Sequence, residues 1–224
     1  MRPKFKNNKE NWLKITNFAP CKNLNIKMKL SKPLVLASNS PRRKEIMQNA
    51  GYEFTVKVIP TDESFSVNMP VKEVPVFLAR TKAECFRENL QDEIILCADT
   101  VVIIEQKNEN SIILNKPANH SEAKEMLKML SGRVHRVITG VCILTSEETL
   151  EFADTSYVHF KELTDWEIDY YIERCKPFDK AGSYGVQDFI GMIGIPKIEG
   201  SFYTVMGLPI HRVYEVLEKY ILKS

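Results

Sequence analysis

Residues 34–51 read LVLASNSPRRKEIMQNAG, and the order of residue types in this stretch decides the fold class. Leu34–Ala37 is a short apolar run of strand character, Ser38-Asn39-Ser40 is a polar turn, and Pro41 to Ala50 reads as a helix stopped by Gly51. A strand that passes through a short polar loop into a helix start leaves unpaired backbone N–H groups pointing outward, which is a ready anion site. Ser40 fits the N-cap position and Pro41 the first helical position, so Arg42 and Arg43 fall in the first turn. Cations there oppose the helix macrodipole by about 0.3–1 kcal/mol each. Two arginines at the disfavoured end make sense when a polyanion lies in front of them, because guanidinium groups bind phosphate bidentately. The Gly-Lys-Ser/Thr tail of a Walker-type phosphate loop is absent.

Working outward, strand-like and helix-like segments alternate. Phe54–Ile59 reads as a strand and Val71–Leu90 as a helix with Val74, Leu78, Lys82 and Cys85 along one stripe. Ile94–Glu105 is the most apolar strand of the chain. Ser121–Ser131 has Ala123, Met126, Leu127 and Leu130 at the spacing of a buried helix face. Val134–Thr145 and Thr149–Phe160 read as an antiparallel pair, and Thr164-Asp165-Trp166-Glu167 is a capping box that opens a helix to Cys175. Phe202–Met206, between Gly200 and Gly207, is expected as a strand, and Pro209–Leu222 as a closing helix. Long strands with intervening helices predict an α/β (α+β) fold around a mixed sheet.

The chain has 224 residues, 44% of them hydrophobic and 27% charged, which suits one globular domain and excludes wholesale disorder. No apolar run reaches about 18 residues, so no membrane span is expected. The formal charge of +2 hides an asymmetry. Residues 1–30 carry eight Lys/Arg against Glu10 alone, leaving 23 basic and 28 acidic residues in 31–224. Residues 1–30 are therefore read as a basic, disordered extension, and 31–224 as the domain. A body of net negative charge is a poor nucleic-acid binder, so no nucleic-acid partner is expected. Five scattered cysteines without a C-x-x-C pair fit reduced thiols in a cytoplasmic protein.

Asp99-Thr100 interrupts the apolar runs Ile94–Ala98 and Val101–Ile104. A carboxylate there must be hydrogen-bonded, metal-bound or shifted in pKa. It either caps a bulge or strand break, or serves as metal ligand or general base at the edge of a cleft. Glu63, in the polar loop Asp62-Glu63, gains meaning as its partner, since Mg²⁺ favours convergent carboxylates beside phosphates. Lys82 on an inward helix stripe, Lys116-Pro117 in a turn and the glycine-punctuated segment Asp179–Gln187 complete the candidate residues.

Ser38-Asn39-Ser40-Pro41-Arg42-Arg43, Ala98-Asp99-Thr100-Val101-Val102, Lys116-Pro117, Ser131-Gly132 with His135, Asp179–Gln187 and Val205-Met206-Gly207-Leu208-Pro209 occur in one order. Each is weak alone. Together, over about 33–222, the set resembles the Maf-type nucleotide pyrophosphatases, and the loop Ala-Gly-Ser-Tyr-Gly-Val-Gln resembles the branch acting on dTTP and UTP. The resemblance implies a Maf/Ham1-like fold, with a long mixed sheet flanked by helices and two lobes around a nucleotide cleft. It implies hydrolysis of a nucleoside triphosphate to monophosphate and pyrophosphate, a divalent cation (Mg²⁺ or Mn²⁺) and a homodimer. By the same resemblance Asp99 is the catalytic base, with Glu63 and Lys82 also catalytic and Asp99 and Glu63 holding the metal. Ser38, Ser40, Arg42, Arg43, Thr100, Lys116 and Gln187 match substrate-binding positions. Asp188 stands where the family usually has glycine, and Pro196 lies where a strand is expected. The alternative is a non-catalytic nucleotide-binding regulator of cell division, which would keep the arginines without needing Asp99 and Glu63.

Overall fold

A computed structural model describes residues 27–105 and 111–223; most of the expected extension, residues 1–26, lies outside the described residues. Seven strands form one mixed sheet: β1 (Leu34–Leu36), β2 (Thr55–Val56), β3 (Ile94–Glu105), β4 (Ser111–Leu114), β5 (Val134–Leu144), β6 (Thr149–His159) and β7 (Lys197–Glu199). The order across it is β2-β1-β3-β5-β6-β7, with β4 also paired to β3. β1 runs parallel to β2 and β3, and the remaining pairs are antiparallel.

The helices are α1 (Pro41–Asn49), α2 (Val74–Glu84), α3 (His120–Leu130), α4 (Asp165–Cys175), α5 (Phe189–Gly194), α6 (Phe202–Met206) and α7 (Ile210–Leu217). Strand alternation divides their work. On β3 the even positions Ile94, Leu96, Ala98, Val102 and Ile104 join the larger core with Ile46 of α1, Leu127 of α3, Ile172 of α4 and Val213 of α7. The odd positions Ile95, Cys97, Val101 and Ile103 face the other side, where α2 packs with Val74, Leu78, Ala79 and Ala83. Asp99 is odd and Thr100 even, so the two residues look to opposite faces. β5 follows the same rule, and Gly140, opposite Asp99, lies under the start of α2. A Cβ on Gly140 would stand 2.3 Å from the backbone of Pro75 and Val76, so glycine there is what lets α2 sit on the sheet.

β3 is paired unevenly along its two edges. β5 accompanies it without interruption from Ile95 to Ile103. On the other edge β1 covers only Ile94–Leu96 and β4 only Val102–Glu105. The edge is thus split at 97–101, and Asp99 stands in the split without a bulge, since its register with Gly140 is unbroken. An opening between diverging neighbours at a strand edge is where α/β sheets commonly receive ligands.

Several sequence expectations are met closely: β3 and α4 have the expected limits, and Thr164 and Glu167 form the reciprocal capping box. Others need correction. Phe202–Met206 is a helix, because Gly200 and Gly207 adopt φ of 110° and 107° and turn the chain at both ends. Five apolar residues were too few to separate the two periods. The strand expected over Phe54–Ile59 is confined to Thr55–Val56; Val58 and Ile59 leave the sheet to line a pocket. The long helix over Val71–Leu90 begins at Val74, with Pro75 in its first turn, and gives way after Glu84 to a short 3₁₀ turn at Arg87–Asn89. β4 and α5 were not foreseen, and the strand expected around Pro196 is β7, which starts directly after that proline. At the far end of the molecule Leu30 bridges Ile221, and the Leu222 N–H donates to the Lys29 carbonyl at 2.9 Å. Among the described residues no helix is long and apolar enough to cross a membrane.

Candidate active site

The split edge of β3 opens into a pocket of about 550 Å³. All ten residues singled out from the sequence line it: Ser38, Ser40, Arg42, Arg43, Glu63, Lys82, Asp99, Thr100, Lys116 and Gln187. They come from six separate segments, and each segment is placed by a different element. β1 ends at Leu36, so Ala37–Ser40 crosses the split and delivers the α1 N-terminus to it. Ser40 occupies the N-cap position but makes no side-chain cap, and the first turn holds no acidic residue. The first-turn N–H groups therefore face the pocket uncapped by side chains.

The two arginines differ. Arg42 Nη1 donates to Asp179 Oδ2 at 2.9 Å and its remaining N–H groups are uncommitted among the described residues. Arg43 is a brace: Nε donates to the Gly207 carbonyl at 2.8 Å, Nη1 to Ser38 Oγ at 3.2 Å and Nη2 to Thr100 Oγ1 at 3.1 Å. Burial holds its pKa below the ordinary arginine value, opposed by the charge of Asp99. Thr139 Oγ1 donates to the Thr204 carbonyl at 2.8 Å, so its contact of 2.9 Å with Thr100 Oγ1 must receive the Thr100 proton. Thr100 thus presents only acceptor capacity to anything in the pocket.

On the α2 side, Lys82 Nζ lies 2.5 Å from Asp99 Oδ1 and 3.0 Å from Glu63 Oε1. One ammonium bridges two carboxylates, so both acids reach a common point. Asp99 Oδ2 receives no hydrogen bond among the described residues. Lys116, from the turn after β4, has no carboxylate partner among them either. The wall opposite is Asp179–Gln187, where Lys180, which sequence reasoning did not single out, pairs with Asp179 at 2.8 Å and Asp188 at 3.7 Å. Burial raises the Asp179 carboxyl, but hydrogen bonds from Lys180 and Arg42 outweigh it and leave the pKa below the usual value. Gln187 has its Oε1 buried and without a hydrogen-bond partner. Such an atom is costly unless something donates to it.

The lining contains five cations (Arg42, Arg43, Lys82, Lys116, Lys180) and three carboxylates (Glu63, Asp99, Asp179). The excess of positive charge, concentrated beside a helix N-terminus, complements a polyanion. Tyr184, buried in the same wall, was named in the sequence only as part of its segment.

Comparison with known proteins agrees with this geometry. The family model described as Maf-like protein matches residues 33–220. A dTTP/UTP pyrophosphatase of Porphyromonas gingivalis is 47% identical over 191 residues, spanning 84% of this chain and 94% of that one. Proteins of the same name from Cytophaga hutchinsonii and Bacteroides thetaiotaomicron are each 44% identical, over 83% of this chain and 83% and 95% of theirs. With the match spanning β1 through the last helical turn and every motif of the pocket, the chain belongs to the Maf-like protein family.

Proposed function

We propose that the protein hydrolyses dTTP and UTP to the monophosphate and pyrophosphate, a housekeeping reaction of the cytoplasmic nucleotide pool. The observation that carries this reading is the meeting of the Lys82–Asp99–Glu63 group with the α1 N-terminus in one pocket, in a chain whose relatives bear that name. We read the pocket as the nucleotide cleft between two lobes of a Maf/Ham1-like fold.

Attack on the α-phosphorus needs a base for water and positive charge for the departing pyrophosphate. Asp99 Oδ2 is the acceptor for the water proton, while Oδ1 is held by Lys82 so that the carboxylate keeps its orientation. Arg42, Lys116 and the uncapped first-turn N–H groups of α1 hold the phosphate chain, with Ser38 and Ser40 beside them. Arg43 keeps the loop, β3 and the Gly207 turn in fixed relation.

The donor types fit a divalent cation: Lys82 draws the Asp99 and Glu63 carboxylates together on its ammonium, and their other oxygens could serve a cation beside it, with substrate oxygens and waters completing the shell. Among the described residues no group of three or more His, Cys, Asp or Glu could hold it unaided. Asp99 and Glu63 would be its protein ligands, and Mg²⁺ or Mn²⁺ bound there supplies neutralisation of phosphate charge. The family resemblance implies a homodimer, which light scattering checks.

For the base, the unpartnered Gln187 Oε1 calls for an N–H donor, and uracil and thymine share one flanked by carbonyls. The test is pyrophosphate release from a nucleotide panel with Mg²⁺, comparing the wild type with Asp99→Asn. Loss of about 10²–10⁴-fold is expected for removal of a general base. Full activity in the variant would overturn the assignment.

A further inference from the structure

The pocket wall formed by Tyr184–Gln187 carries a buried side-chain contact that the chemistry above does not use. His135, on β5, is 2% exposed, and its Nε2 lies 2.7 Å from the Tyr184 hydroxyl. The two rings meet edge to face at 5.3 Å, and Phe160 stacks on His135 at 5.5 Å while meeting Tyr184 edge-on at 5.2 Å. The other ring nitrogen of His135, Nδ1, is buried with no hydrogen-bond partner. Whichever tautomer is present, one polar ring atom is left unsatisfied, a cost that phenylalanine at this site would avoid. A core selected for packing alone has no reason to keep it.

Tyr184 itself reaches the pocket and stands three residues before Gln187. The segment between is tied down elsewhere through backbone groups: the Gly182 N–H donates to the Asn115 carbonyl at 3.1 Å, and the Gly185 N–H to the Tyr171 hydroxyl at 3.0 Å. Between those anchors the chain is strained, with Gly182 at φ 67° and Ser183, a residue with a side chain, at φ 60°. A strained turn fixed at its ends leaves the direction of the intervening aromatic ring to side-chain contacts. The Tyr184 hydroxyl has one such partner among the described residues, His135.

We infer that His135 is a positioning residue for nucleotide selection, which acts through the Tyr184 hydroxyl to hold the wall bearing Gln187 against the substrate base. This rests on the pyrophosphatase reading and adds a residue to it. His135 does not itself line the pocket and meets it only through Tyr184, so its removal acts on binding and discrimination rather than on the reacting phosphorus.

The experiment compares wild type, His135→Phe, Tyr184→Phe and the double variant. For each, kcat and KM for UTP and CTP are measured by pyrophosphate release, together with the melting temperature. His135→Phe is expected to raise the UTP KM and narrow the UTP-over-CTP preference by about tenfold, the scale of one lost hydrogen bond, with kcat held within about twofold. Tyr184→Phe should reproduce both changes, the double variant should add nothing, and His135→Gln, which restores a polar partner, should recover part of the preference. Unchanged KM and preference in a variant that merely melts lower would overturn the inference, as would effects that multiply in the double variant. If His135→Phe does not fold, Tyr184→Phe, which removes one oxygen, decides by the same criteria. An active wild type with unaltered preference in these variants sinks this inference alone; a wild type that turns over neither nucleotide sinks the pyrophosphatase reading along with it.

Discussion

Gly140→Ala adds one methyl group at the point where α2 rests on β5. The new Cβ would lie 2.3 Å from the Pro75 carbonyl carbon and the Val76 nitrogen, where ordinary contact begins at 3.4 Å, a shortfall of 1.1 Å. The obstacles are backbone atoms of a helix, so no rotamer change relieves the clash. Either the start of α2 lifts away from the sheet or β5 bends. Overpacking of this kind costs about 1–3 kcal/mol, and a chain of this size loses roughly 2–4 °C of melting temperature per kcal/mol. The consequence for activity follows from the same helix. Lys82 lies two turns along α2 and holds Asp99, itself directly opposite Gly140 across β3 and β5, at 2.5 Å. A retreat near 1 Å takes that contact out of hydrogen-bond range. Misplacement of a catalytic group by this distance lowers turnover by about a hundredfold. Differential scanning calorimetry and pyrophosphate release measure the two effects on one preparation. A variant with wild-type melting and wild-type kcat would refute the packing argument and, with it, the dependence of Asp99 on the seat of α2.

The remaining predictions test separate parts of the molecule. Burial depresses the His135 pKa from 6.5 to about 3, with the charge of His159 adding to the effect, so the unfolded chain takes up a proton below pH 6.5 that the folded one refuses. Stability should therefore fall as pH drops from 6.5 toward 3, by about 2 kcal/mol at pH 5 from this group; urea unfolding at pH 7 and pH 5 should show His135→Phe losing that much less than the wild type, and equal losses would contradict the buried neutral ring. Gln187→Ala should reduce the preference for UTP over CTP by about tenfold while lowering kcat less, and an unaltered preference measured with the two nucleotides would remove Gln187 from base reading. Thr164→Ala takes away the N-cap acceptor of α4 and should cost about 1 kcal/mol, read as a lower urea midpoint at unchanged slope and unchanged activity; no shift would mean that the capping box adds nothing beyond the packing of Ile168 and Ile172.

What could be read from the sequence was set by distance along the chain. β3, β5, α3 and α4 are long enough for their apolar period to be unambiguous, and α4 carries its own start signal. The short elements β7 and α6 take their form from what lies beside them: β7 from the free edge of β6, and α6 from two glycines in left-handed conformations. In the site, Arg42, Arg43 and Asp99 were legible because each breaks a local rule, a cation at the wrong helix end or an acid in an apolar strand. The bracing of Arg43 against Gly207 links residues 164 apart, and the Tyr184–His135 contact spans 49. Neither leaves a local trace, since a buried histidine in β5 and an aromatic residue in a loop are ordinary in themselves. Lys180 was hidden for the converse reason, because it sits beside Asp179 as any surface lysine would.

The bridge between Leu30 and Ile221 gives the backbone the character of a nearly closed ring. Joining the segment at Leu30 that precedes β1 to the segment that follows α7 would ask for only a short peptide tether. The β5–β6 hairpin tip at Ser146, on the other hand, could be cut without parting any rung of the sheet. A rearranged gene of that kind would begin at β6 and end at β5, with the pocket's six segments still arriving from their native directions. Fusion partners or immobilising tags placed at that hairpin would press on the Leu30–Ile221 seam as well, because Glu147 pairs with Lys32 and Glu148 with Lys219 on either side of it.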